Sequence, residues 1–273
     1  ISAKIVIPKA KIDGEIHKDR LLATIEGALK LSDCNIKDSP IHLMTETELD
    51  FDLAYSNGLV NIKELNVLTD GAEISITGEM LLKDSVNTNI NVEGKDIDLD
   101  KFVKYVPKQT LRKIGLKKVS GEVDINGTVQ GFIAGTVLPE VKMNVEINNG
   151  YIQNKGLPII KNISFDGFLT NGKQKNNKST SVTCKKLHAE AGQSRIDLTF
   201  NLNNLDRIHY KMNSDLEINL EDFKELIPDT IISGVKGQVS AKLSGKGILP
   251  DSLGNDFIDY LLATTELNLT VTI

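Results

Sequence analysis

Apolar and polar residues alternate with a period of two along most of this chain. Between residues 208 and 220, Ile208, Tyr210, Met212, Leu216, Ile218 and Leu220 fall on one side, with Ser214 among them, while His209, Lys211, Asn213, Asp215, Glu217 and Asn219 fall on the other. Successive side chains of a strand point to opposite faces, so the pattern predicts a strand with one apolar and one wet face. Thirteen residues at roughly 3.3 Å each reach about 43 Å. That is well beyond the usual five or six residues and predicts a large sheet.

The same alternation recurs in Ile74, Ile76, Gly78, Met80, Leu82, in Val86, Thr88, Ile90, Val92, in Val141, Met143, Val145, Ile147 and in Ile196, Leu198, Phe200, Leu202. Asn57-Gly58, Asp70-Gly71, Asn149-Gly150 and Asn171-Gly172 separate the runs with residues that tolerate the positive φ of tight hairpins. About fifteen strands are expected, mostly antiparallel. Helices are expected only near 98–114, capped by Asp98 or Asp100 and broken at Pro107, near 220–228 before Pro228, and near 254–263, where Phe257, Ile258, Tyr260, Leu261 and Leu262 are amphipathic.

Self-comparison reveals a repeat. Ile97-Asp-Leu-Asp-Lys-Phe-Val-Lys-Tyr-Val-Pro107 matches Ile218-Asn-Leu-Glu-Asp-Phe-Lys-Glu-Leu-Ile-Pro228 at its Ile, Leu, Phe and Pro positions, 121 residues apart. Val119-Ser-Gly121-Glu-Val123 and Val235-Lys-Gly237-Gln-Val239 follow the two helices. The expected organisation is therefore leading strands over 1–60, a first repeat unit over 61–131, connecting strands over 132–181, a second unit over 182–250, and a terminal helix and strand over 251–273. Tandem units extend a structure in one direction. Gly27, Gly78, Gly121, Gly127, Gly167, Gly237 and Gly245 occupy apolar-face positions, which reads as room beneath the sheet and licence to bend it. The expected fold is all-β, a long and strongly curved repeat-built sheet forming an open groove. The chain starts at Ile1 inside one strand-like run and ends at Ile273 inside another, as a piece of a longer protein would.

Composition narrows function mainly by exclusion. Hydrophobic residues make up 40% and charged residues 25%, with a net charge of −5, and the scattered basic residues disfavour a nucleic-acid groove. Cys34 and Cys184 lack the spacing of a zinc site, and no apolar run is long enough for a spanning helix. Asp96, Asp98 and Asp100 open like a calcium loop, but Lys101 and Pro107 stand where glycine and glutamate are needed, so capping is the better reading. Glu46, Glu48, Asp50 and Asp52 on alternate positions read as a solvated strand face rather than paired catalytic acids. His17, His42, His188 and His209 are isolated, and no nucleophile elbow or phosphate loop is present. Lys173, Lys175 and Lys178 form a basic hairpin loop, a candidate for contact with anionic headgroups. No catalytic residue, metal or cofactor is expected.

The 121-residue repeat, the segments Ile97-Asp-Leu-Asp-Lys-Phe and Ile218-Asn-Leu-Glu-Asp-Phe, and the two Val-x-Gly-x-Val strands resemble the C-terminal region of AsmA-like proteins, periplasmic relatives of TamB in Gram-negative bacteria. The Asn-rich, Trp-free strands resemble the Bacteroidetes branch. The resemblance covers roughly residues 60–250. It implies a periplasmic body held to the inner membrane by an anchor outside this sequence, and a non-enzymatic role in carrying phospholipid or another acyl-chain lipid toward the outer membrane, with envelope biogenesis as the setting. A scaffold for outer-membrane protein assembly is the alternative, with an outer-membrane protein as partner. On either reading no nucleic acid is involved. The residues expected to face lipid are Val86, Ile90, Val123, Ile125, Val141, Met143, Val145, Ile196, Leu198, Phe200, Tyr210, Met212, Leu216, Val239 and Leu243.

Overall fold

A computed structural model describes residues 2–17, 20–35, 46–83, 85–105, 111, 115–134, 137–154, 158–226, 236–249 and 264–272. Among the described residues fourteen antiparallel strands follow one another in chain order through one sheet, in the order β1 to β14. They are β1 (Ser2–His17), β2 (Arg20–Asn35), β3 (Glu46–Ser56), β4 (Leu59–Thr69), β5 (Ala72–Leu82), β6 (Val86–Asp98), β7 (Leu116–Ile133), β8 (Glu140–Asn154), β9 (Ile160–Thr170), β10 (Ser181–Ala191), β11 (Ser194–Asn203), β12 (His209–Asn219), β13 (Gln238–Ile248) and β14 (Glu266–Thr272). The chain forms two compact bodies, one of residues 1–111 and 122–143, the other of 112–121 and 144–273.

Two of the three expected helices fall partly on described residues and are shorter there. Helix α1 (Leu99–Phe102) is capped by Asp98, whose carboxylate accepts from the Asp100 and Lys101 amides, and runs on as a 3-10 turn over Val103–Tyr105. The second segment, Leu220–Leu226, is a 3-10 rather than an α-helix. The expected helix at 254–263 and the continuation of the first over 106–110 and 112–114 lie outside the described residues.

The two copies of the repeat share their strand registers as well as their order. In β4 the pairing with β5 slips between Ile62 and Leu65, and in β10 the pairing with β11 slips between Cys184 and Leu187. Ile62 pairs with Gly78 and Leu65 with Ile76, while Cys184 pairs with Phe200 and Leu187 with Leu198, every position displaced by 122. A bulge in β6 between Gly94 and Ile97, where Asp96 has a φ of 50°, inserts one residue that β12 lacks. That residue turns the offset of 122 into the 121 of the helical segments. Gly121, inside β7, and Gly237, just before β13, have φ of 135° and 128°. The correspondence also takes in β3 and β9, where Phe51 and Phe165 oppose Leu65 and Leu187.

The apolar-face glycines do not, for the most part, leave the room beneath the sheet that was expected of them. A Cβ on Gly78 would drive into the Asn89 carbonyl, one on Gly127 into the Lys142 carbonyl, and one on Gly27 would lie 2.5 Å from the Lys9 carbonyl oxygen. These glycines admit a neighbouring strand's backbone rather than leaving room beneath the sheet, so strong curvature loses that support. Among the described residues only Gly245, with nothing nearer than 3.5 Å, and Gly237, with nothing within 4 Å, have the expected room.

Candidate functional site: the apolar face of the second body

Directly opposed residues in an antiparallel pair share a face, so the strand registers assemble a surface strand by strand. In β11 and β12 the pairs are Ile196 with Leu216, Leu198 with Ser214, Phe200 with Met212 and Leu202 with Tyr210. β13 adds Val239, Ala241, Leu243 and Gly245 opposite Ile218, Leu216, Ser214 and Met212, and β14 adds Val271 and Leu269 opposite Ala241 and Leu243. On the other flank β10 contributes Cys184, Leu187 and Ala189, and β9 contributes Phe165 and Gly167. The result is one apolar face across six strands.

This face is not a closed core. Among the described residues the buried apolar side chains are Ile62, Ala72, Ile97, Val123, Cys184, Ala189 and Ala241, mostly small ones. Leu198, Phe200, Tyr210, Met212, Leu216 and Leu243 are each only half-buried, and Leu269 is 56% exposed. Ser214 breaks the apolar row, and its buried hydroxyl has no hydrogen-bond partner among the described residues. Cys184 is a free thiol, 2% exposed, and burial pushes its pKa up. It donates to the Leu198 carbonyl at 3.8 Å and behaves as a small apolar group.

At one end of the face lies a cavity of about 440 Å³, lined by Ile152, Pro158, Ile160, Ile163, Leu187, Ala189, Ile196, Leu216, Ile218 and Phe223 together with Glu190, Ala191, Ser194 and Arg195. Phe223 comes from the 3-10 segment. That segment is tied to the β10–β11 turn by the Asp222 carboxylate, which accepts from the Gln193 amide at 2.8 Å and from the Ser194 hydroxyl at 2.7 Å. In the first copy the corresponding tie is an ion pair, with Lys101 Nζ 3.2 Å from Asp70. Its hydrogen bond holds the Asp70 carboxyl below the usual carboxylate range.

Of the expected lipid-facing residues, Ile196, Leu198, Phe200, Tyr210, Met212, Leu216, Val239 and Leu243 share this face, and Ile196 and Leu216 line the cavity. Val86, Ile90, Val123 and Ile125 share the apolar face of β6 and β7, where Val86 opposes Ile133, Ile90 opposes Val129 and Ile125 opposes Gly94. Val123 is 9% exposed and buried against Ile97. Val141, Met143 and Val145 are half-buried on alternate positions of β8. Ile152, Ile160, Ile163, Leu187, Ala189, Ile218 and Phe223 were not among the residues expected to face lipid. Phe223 stood in the repeated motif, and the exposed pair Lys185-Lys186 marks the bulge that carries Leu187 and Ala189 onto the face.

The opposite face is wet and ion-paired. His188 Nδ1 lies 2.8 Å from Asp197, Arg195 donates to Glu217 at 2.8 Å, and Asn162 donates to Glu190 at 2.7 Å. In the first body Lys63 pairs with Asp52 at 3.0 Å and Lys30 pairs with Glu48, so two of the four carboxylates in the β3 row are neutralised across strands. The Asp98 carboxylate serves α1 as a cap, as its spacing suggested. Among the described residues no three His, Cys, Asp or Glu side chains are grouped to hold a metal ion, and no helix is long and apolar enough to cross a membrane. Comparison with protein-family models, curated proteins and solved structures finds no match to this chain.

Proposed function

We propose that this protein binds lipid without catalysis, laying acyl chains along the half-buried apolar face of its sheet while headgroups stay in water at the rim. The carrying observation is the union of an apolar face across six strands, interrupted at Ser214, whose large side chains are left half-exposed, and an almost wholly apolar cavity of about 440 Å³ at its end. A soluble protein rarely leaves such a patch uncovered unless something binds it. The strands from β9 to β13 span roughly 19 Å at about 4.8 Å per step. That suits an acyl chain from one leaflet of a bilayer whose apolar core is about 30 Å thick. Each methylene removed from water contributes about 0.8 kcal/mol, so a chain lying in an open groove is held without any specific polar contact and can slide.

The resemblance to AsmA-like proteins supplies the setting: a periplasmic module, anchored in the inner membrane, that passes phospholipid toward the outer membrane for envelope biogenesis. The alternative, a scaffold for outer-membrane protein assembly, is favoured by the exposed apolar row Leu267, Leu269 and Val271 of β14, against which a partner strand could pack. Native mass spectrometry of the purified chain, with extraction of co-purifying lipid, separates the two. Bound phospholipid in stoichiometric amount is the expected result. A lipid-free protein that takes up no lipid from vesicles overturns the proposal.

A further inference from the structure

We infer that the β9–β10 and β11–β12 loops form a tip that docks the second body onto an anionic lipid bilayer, at the end of the apolar face remote from the Phe223 cavity. This rests on the lipid-binding reading and specifies the surface from which lipid enters. Thr170, Ser181, Asn203, His209 and Ile248 meet in register at this end, whereas Ala191, Ser194 and Asn219 lie at the other. Ten or eleven residues of strand separate the two ends, about 35 Å.

The two loops are built to present charge. Asn176 caps a 3-10 turn over Asn177–Ser179 through a reciprocal pair of side-chain hydrogen bonds, and the Ser179 hydroxyl donates to the Asn171 carbonyl at 2.6 Å. The Asn204 amide donates to the Thr180 carbonyl at 3.0 Å and the Leu205 amide to the Asn177 carbonyl at 2.8 Å, so the second loop is pinned to the first. On this frame stand Lys173, Lys175, Lys178 and Arg207 against a single carboxylate, Asp206. No side chain of these four cations is ion-paired among the described residues. Elsewhere pairing is common: Lys63, Lys142 and Lys185 each lie 3.0 Å from a carboxylate, and Lys246 lies 2.8 Å from one. Among the described residues the tip therefore holds unneutralised positive charge, in a chain that is negative overall. Leu205, 41% exposed, and Leu169, 37% exposed, stand beside it. Basic residues around exposed leucines fit an anionic headgroup layer with an apolar layer beneath.

The test is flotation of the full chain with vesicles of phosphatidylcholine alone and of phosphatidylcholine mixed with phosphatidylglycerol. The loop variant combines Lys173→Gln, Lys178→Gln and Lys175→Asn, the last because Lys175 has a φ of 56° that asparagine tolerates. A control variant, Lys63→Gln with Lys142→Gln and Lys185→Gln, removes the same charge elsewhere. The wild type should bind only the anionic vesicles and release in salt. The loop variant should bind on the order of a hundredfold more weakly, at roughly fivefold per lysine, and the control should bind as the wild type does. Equal losses in both variants, binding that ignores the anionic lipid, or full competition by soluble glycerol phosphate would each overturn the docking tip. Lipid extracted from the same preparations separates the two claims. A lipid-loaded protein that fails to dock refutes the tip alone, and a protein that docks yet never carries lipid refutes the lipid-binding reading.

Discussion

At the scale of single residues, the glycines carry the sharpest information. Gly78 sits at a φ of 133°, and an added Cβ would run into the backbone of Asn89, which cannot swing aside as a side chain would. Gly78→Ala is therefore expected to lower stability by about 1–3 kcal/mol from the strained conformation alone, read as a fall in the midpoint of thermal unfolding. Gly245→Ala is the contrast. The nearest atom to its Cβ would be 3.5 Å away and its φ is not in the left-handed region, so the change should be neutral or stabilising by about 0.4–1 kcal/mol. Equal destabilisation by both would mean that glycine is needed on this face for space and not for close approach of strands.

At the scale of elements, alternation made the strands legible, because one face of each is apolar and period two is unambiguous over ten residues. Bulges hid part of the site. In β10 the apolar face passes from Val182 and Cys184 to Leu187 and Ala189 across the exposed pair Lys185-Lys186, and in β4 from Ile62 to Leu65 across Lys63-Glu64. A strict period of two reverses the face at such a point. The helical segments show the same limit: their sequence repeat is plain, but the side chains anchoring them to the preceding turn differ between copies. Asp222→Ala removes the acceptor for the Gln193 amide and the nearer acceptor for the buried Ser194 hydroxyl, which keeps only the Asn219 carbonyl at 3.4 Å, and should cost about 1–3 kcal/mol. Lys101→Ala removes an exposed ion pair and should leave the unfolding midpoint nearly unchanged. Thermal unfolding of the two variants side by side checks the difference, and an equal loss would show that the two ties do the same work.

At the scale of the whole molecule, the central claim is that the apolar face is open and occupied by lipid rather than closed over a core. Leu198 is the position to probe. It is half-buried in the middle of the face on β11, flanked by Leu187 and Ser214 on the neighbouring strands. An aspartate in a closed core would leave an unpaired charge out of water and cost several kcal/mol. On an open face its carboxylate stays hydrated, while an acyl chain laid across it meets a charge. The most direct measurement is therefore the phospholipid content of purified Leu198→Asp by native mass spectrometry, with its circular dichroism recorded on the same sample. The account predicts a wild-type β-sheet spectrum and a severalfold loss of bound lipid. A folded variant that carries as much lipid as the wild type would contradict it, as would a variant that cannot fold at all.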